Sequence, residues 1–210
     1  MKKTVFFLML VVFGLACRAQ EAVPLSKQES QELTVALTEA AASMQTMQCR
    51  FVQHKTSSML VEPTVSDGVM FYAAPDKMRW EYISPYAFAL VVNGDNIVKV
   101  TDGKTEKLDG KSGRMYQGMA DLIVGSASGK KLFDDSSFDI AFYDEDPFWR
   151  VDMTPKRRDM KRMFKQLVFR FEKDTSIINN VEFIEAGGDV TSIQFEDRRF
   201  NEPVSEELFQ

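Results

Sequence analysis

The chain is short of the residues on which metal and acid–base chemistry depend. It has one histidine, His54, and two cysteines, Cys17 and Cys49, in 210 residues. CxxC and HExxH are both absent, which removes the common redox and zinc signatures. A histidine-dependent triad would have to use His54, and no serine or cysteine nucleophile pattern lies near it. "GSASG" at 125–129 carries Ala127 where a nucleophile elbow needs serine. "DGKT" at 102–105 has Val98 where a phosphate loop needs its first glycine. The acidic clusters Asp134-Asp135 and Asp144-Glu145-Asp146 sit in turn contexts, not in an ordered calcium loop. The expected protein is therefore not an enzyme and holds no cofactor and no metal. Cationic excess is lacking too: 26 basic residues stand against 31 acidic ones, which argues against nucleic acid as a partner.

Long hydrophobic runs are lacking except at the start. "MKK" is followed by the nine apolar residues "VFFLMLVVF" and then by "GLACRAQ". The run falls short of the ~20 residues a transmembrane helix needs, and its basic lead and small-residue end predict a secretory signal peptide over residues 1–19. Cleavage after Ala19 leaves residues 20–210 as a single exported domain. Losing Lys2, Lys3 and Arg18 leaves 23 basic against 31 acidic residues, a net charge of −8. The alternative is lipidation of Cys17, although Gly14 holds the place where that signal normally has leucine. The cleaved chain keeps only Cys49, so an intramolecular disulfide is excluded. Cys49 shares its side of a period-2 pattern with Met47 and Phe51, which predicts a core position.

Present instead is patterning. Ser26 and Glu29 form a capping box at the start of a helix predicted over 26–44. Leu33, Ala36, Leu37, Ala40, Ala41 and Met44 give it one apolar stripe. The period then changes to two. Strands are predicted at 46–56, 68–73, 78–83, 87–93, 97–101, 104–108, 137–143, 148–154, 164–173, 178–185 and 190–197, separated by "SDG", "NGDN", "TDGK", "DEDP" and "EAGGD". Such short intervals require antiparallel hairpins, and so many of them a barrel or a strongly curved sheet.

Phenylalanine occurs 17 times and methionine 12 times, and these residues recur on aromatic strand faces. Met70 goes with Tyr72, and Met78 with Trp80 and Tyr82. Core is the default for such a face; a methionine-lined cavity for flexible chains is the functional alternative. The stretch 111–131 breaks the strand pattern. Met115, Met119, Leu122 and Ile123 have helical spacing there, which fits either a lid or a surface loop with one helical turn. "TPKRRDMKRMFK" at 154–165 is basic within an acidic protein. Its Lys156, Arg157, Arg158, Lys161 and Arg162 suit docking on an anionic headgroup surface or an acidic partner, or simply solubilise a hairpin.

In order along the chain, "FVQ" at 51–53, "GVMFYAAPDKMRWEY" at 68–82, "VVNGDNIVKV" at 91–100 and "GGDVTSIQFEDRRFNEPVSEELF" at 187–209 resemble the bacterial outer-membrane lipoprotein carrier family (LolA-like). In the last motif Thr191, Phe195, Asn201 and Phe209 come in the expected order. The resemblance implies a mainly β fold with an α lid: an incomplete, unclosed antiparallel β-barrel covered by two or three short helices. It implies a monomeric periplasmic carrier that takes acylated lipoproteins from an inner-membrane ABC-type release complex and passes them to an outer-membrane acceptor. The implied cavity lining is Phe51, Met70, Tyr72, Met78, Trp80 and Tyr82, with Leu90 and Val92 beside them and Met115, Met119, Leu122 and Ile123 above. Leu33, Leu37 and Met44 fall on the implied lid helix. A receptor or envelope lipid sensor of the same fold, anchored through Cys17, is the alternative. One departure concerns the lid. The family's arginine before the proline of the strand motif latches the lid, and here that place is Ala74.

Overall fold

The computed structural model describes residues 22–59, 61–94, 96–108, 133 and 135–210. The expected signal segment, Cys17, Met115, Met119, Leu122 and Ile123 lie outside the described residues.

Helix α1 runs over Lys27–Ala42 and begins on the predicted capping box: the Ser26 amide donates to Glu29 Oε2 at 2.8 Å, and the Glu29 amide donates to Ser26 Oγ at 3.3 Å. The helix buries Leu33, Leu37 and Ala41, and Met44 is buried just beyond its end. The predicted stripe is wider than the observed one, since Ala36 is exposed and Ala40 half-buried. The helix meets its support along one row of residues spaced four apart, and a methyl one step off that row stays in solvent.

The strands are β1 (Val23–Pro24), β2 (Thr46–Thr56), β3 (Thr64–Ala73), β4 (Lys77–Ser84), β5 (Phe88–Asn93), β6 (Asn96–Thr101) and β7 (Lys104–Lys107). After the undescribed stretch come β8 (Phe138–Glu145), β9 (Phe148–Pro155), β10 (Phe164–Glu172), β11 (Ile178–Glu185) and β12 (Val190–Phe200). A four-residue helix α2 (Arg158–Lys161) joins β9 to β10, and a 3₁₀ turn (Glu206–Phe209) ends the chain. The strands form one antiparallel sheet in the order β1-β8-β9-β10-β11-β12-β2-β3-β4-β5-β6-β7. Among the described residues β1 and β7 do not pair, so the sheet is not closed. All eleven predicted strands are present. The twelfth, β1, is two residues long and pairs with β8; no periodicity can reveal so short a strand.

One prediction fails within β3. "SDG" at 66–68 is not a turn, because the strand starts at Thr64 and runs straight through it. Gly68 is a close-approach residue instead. A Cβ on it would stand 2.5 Å from the Phe51 ring and 2.0 Å from the Glu81 carbonyl oxygen. A pairing irregularity between Asp67 and Gly68 marks the same point, as strand glycines often do.

Strand alternation sorts the side chains into two faces. The inner face gathers the large core, from Phe51, Trp80 and Phe195 across to Val151, Leu167 and Phe169, with Leu33 and Leu37 of α1 packed into it. The outer face of β4–β6 carries a smaller core of Ala89, Val91 and Val98, capped by Phe209 with Val204 and Leu208 beside it. The terminal turn is pinned there: Asn93 Nδ2 donates to the Phe209 carbonyl at 3.3 Å and Lys77 pairs with Glu206.

Candidate functional site

The register of β12, β2, β3, β4, β5 and β6 stacks the predicted lining residues into rungs. Phe195, Phe51, Gly68, Tyr82 and Phe88 form one rung. Cys49, Met70, Trp80 and Leu90 form the next, and Met47, Tyr72, Met78, Val92 and Ile97 the third. Phe51, Met70, Tyr72, Met78, Trp80 and Val92 are buried, while Tyr82 and Leu90 are half-buried. The eight described residues of the expected lining thus belong to one core cluster, as do the buried Leu33, Leu37 and Met44 of the expected lid.

The rings interlock. Phe51 and Trp80 centroids are 4.2 Å apart at 31°, Phe51 meets Tyr82 edge-on at 5.2 Å, and Tyr82 stacks on Phe88 at 4.7 Å. Tyr82 Oη donates to Gln53 Oε1 at 2.9 Å. Two polar atoms on this face differ from it. Tyr72 Oη and Trp80 Nε1 are buried without a hydrogen-bond partner among the described residues. A native core normally satisfies such atoms, and leaving one unpaired costs about 1–3 kcal/mol. Burial, reinforced by the Asp76 carboxylate, raises the Tyr72 phenol above its ordinary pKa, so it remains an O–H donor at neutral pH. Burial likewise pushes the Cys49 thiol up to about 12, which makes it a core side chain and a poor nucleophile.

At Ala74, where the family's latch would stand, the backbone N–H donates to the Gln45 carbonyl at 2.8 Å, and the methyl packs against the core. The residue joining the end of α1 to the sheet is Asn201. Its Oδ1 accepts from the Gln45 amide at 2.7 Å, its Nδ2 donates to the Ser43 carbonyl at 3.4 Å, and its own amide donates to the Thr46 carbonyl at 3.0 Å. Asn201 holds φ +57°, a conformation asparagine tolerates better than most residues. In sequence it is only one match in a motif; its role depends on partners at the opposite end of the chain. Arg79 stays on the outer face, paired with Glu81 at 2.7 Å.

The acidic cluster Asp144-Glu145-Asp146 is engaged in ion pairs. Asp144 and Asp146 hold Lys173 Nζ at 2.6 and 3.0 Å, and Glu145 bridges Arg150 and Arg170. His54 lies on β2 in register with Ser192 and Val65, on the face away from Phe51. The basic stretch divides in two. Lys156 is held by Asp139 at 3.1 Å and the Asp135 carbonyl at 2.6 Å, and Arg157 by Asp159 at 2.7 Å. Arg158, Lys161 and Arg162 are exposed and make no ion pair among the described residues. Alternation of charge in the sequence does not say which cations are neutralised by a neighbouring strand.

Comparison with known proteins agrees with this architecture. The family model described as outer membrane lipoprotein carrier protein LolA matches residues 42–210. An outer-membrane lipoprotein carrier protein of Pseudomonas putida is 26% identical over 178 residues, covering 83% of this chain and 81% of that protein. An uncharacterized conserved protein from Thermus thermophilus superposes with a TM-score of 0.52 at 8% identity, over 87% of this chain and 94% of that one. A LolA superfamily protein from Nitrosomonas europaea superposes at 0.47 with 9% identity, over 86% and 96%.

Proposed function

We propose, for a chain that belongs to the outer membrane lipoprotein carrier family, that the inner face of β2–β5 shelters the acyl chains of a lipoprotein during transfer across the periplasm. The observation that carries this reading is the pair of buried donors, Tyr72 Oη and Trp80 Nε1, that have no hydrogen-bond partner among the described residues, within a mostly apolar face. Acyl chains reach a lipoprotein through ester and amide carbonyls, and those carbonyls are acceptors. Bound cargo would satisfy both donors while its methylenes displace the flexible side chains of Met70 and Met78. Each methylene taken from water contributes about 0.8 kcal/mol, so binding is strong, non-directional and readily passed to a better apolar site. Such a cycle of uptake and release needs no covalent step. The export segment over 1–19, an inner-membrane ABC-type donor and an outer-membrane acceptor complete the route.

The test is displacement of a fluorescent hydrophobic probe from purified protein by a synthetic acylated lipopeptide. The lipopeptide should compete where its unacylated form does not. Trp80→Glu and Met78→Glu should weaken probe binding at least tenfold, with folding checked by circular dichroism. Full probe affinity in both folded variants would place the acyl site elsewhere.

A further inference from the structure

The large exposed apolar side chains are not scattered. Among the described residues Val23, Val35, Met59, Val61, Val65, Ile83 and Tyr86 are exposed, and five of these seven gather at one rim of the sheet. Met59 and Val61 lie in the loop between β2 and β3, with Val65 at the start of β3; Ile83 and Tyr86 lie at and beyond the end of β4. Met59 is 89% exposed, Val61 102% and Tyr86 78%. Such tips gain nothing from the fold they stand on.

The same rim carries α2. The Ala186 amide donates to the Met163 carbonyl, tying the α2 connection to the β11–β12 turn. Val190, just after that turn, pairs with Thr56 at the start of the β2–β3 loop, and Asp67 of β3 pairs with Ser84. From β10 to β4 is five strand steps, about 24 Å along the sheet at the usual spacing. One end of this edge holds Arg158, Lys161, Arg162 and Lys165, exposed and without an ion pair among the described residues. Lys55, Lys156 and Arg157 on the rim are already matched by Glu185, Asp139 and Asp159. Glu62 lies in the β2–β3 loop and Asp189 in the β11–β12 turn, so the cationic charge is concentrated at α2.

We propose that this rim docks the protein on an anionic bilayer, with Tyr86, Met59 and Val61 entering the headgroup region and Arg158, Lys161 and Arg162 pairing with lipid phosphates. Apolar tips beside unmatched cations are the two components of peripheral membrane binding. An acidic protein partner would use the cations but leaves the fully exposed methionine, valine and tyrosine unexplained. The net charge of the chain is −5, so overall electrostatics oppose anionic membranes and the local cluster sets the orientation. The inference does not depend on the acyl-binding reading, because the rim residues are separate from the inner-face rungs.

The experiment is co-sedimentation of purified protein with phosphatidylcholine vesicles, with and without phosphatidylglycerol. Binding is expected only with phosphatidylglycerol and should fall as salt is raised. The triple variant Arg158→Gln, Lys161→Gln, Arg162→Gln should weaken it about 100-fold, taking each cation near an anionic surface as roughly fivefold. Tyr86→Ser with Met59→Ser should weaken it about tenfold or more on lost apolar area. A Tyr86→Trp reporter, read against the unsubstituted protein, should show a blue shift only with anionic vesicles. The unfolding midpoint and hydrophobic-probe affinity should stay unchanged in all variants, so failure here is distinct from failure of the acyl site. No sedimentation with anionic vesicles, or sedimentation indifferent to both variant sets, overturns the proposal and leaves the cations to an acidic protein.

Discussion

Phe51 lies directly over Gly68. The strand pairing sets the two opposite one another, and the aromatic ring occupies the space a side chain at 68 would fill. This contact lets Trp80 and Tyr82 of the next strand close on the same ring, at 4.2 and 5.2 Å.

Gly68→Ala should therefore destabilise the fold by about 2 kcal/mol, within the usual range for overpacking. The Glu81 carbonyl at 2.0 Å is backbone and cannot turn aside as a side chain would. Urea unfolding checks this, and a change in stability below a few tenths of a kcal/mol would show that the rung relaxes.

Tyr72→Phe removes one oxygen that has no hydrogen-bond partner among the described residues. Stability should be unchanged or slightly raised, because a buried polar atom without a partner is unfavourable. Lipopeptide affinity should fall about fivefold, roughly one hydrogen bond, while affinity for a plain hydrocarbon probe holds. An equal loss for both ligands would show that the hydroxyl does not read the acyl carbonyl.

Asn201→Gly keeps the positive-φ backbone permissive and deletes the side chain that joins Ser43 and Gln45. Hydrogen exchange should quicken at the Gln45 amide and at the last turn of α1, with about 1 kcal/mol lost overall. Exchange indistinguishable from the parent would mean that the helix is held by Leu33 and Leu37 alone.

Cys49 gives a pH signature. Its folded thiol is raised to about 12 from 9.0, chiefly by burial. The unfolded thiol ionises first, so the contribution to stability is whole below pH 9. It drains between pH 9 and about 12, by up to roughly 1.4 kcal/mol per unit. Between about pH 8 and about pH 10, urea midpoints should fall more steeply in the parent than in Cys49→Ala. Thiol reagents should label Cys49 near neutral pH only after unfolding.

Much of the fold is written locally. The capping box of α1, the eleven alternating strands and the glycine turns at 94, 103 and 188 each depend on neighbours a few residues apart. Gly68 shows the limit of that reading: "SDG" is a turn by composition, and only its pairing with β2 and β4 makes it part of a strand. Asn201 shows it again, since the partners of its side chain lie at the far end of the chain. The five exposed apolar residues of the rim come from two separate stretches, 59–65 and 83–86, which only the pairing of β3 with β4 brings to one edge.

The sequence by itself determined the antiparallel sheet, the amphipathic helix and which residues share a face, because period and capping are properties of adjacent residues. Tertiary structure decided the rest. It set β12 beside β2, stacked Phe195, Phe51 and Tyr82 into one rung, left Tyr72 and Trp80 without hydrogen-bond partners among the described residues, and neutralised Lys156 and Arg157 but not Arg158, Lys161 and Arg162. Those outcomes depend on which distant strands meet and at what register, and register is fixed only when the whole sheet buries its apolar face at once.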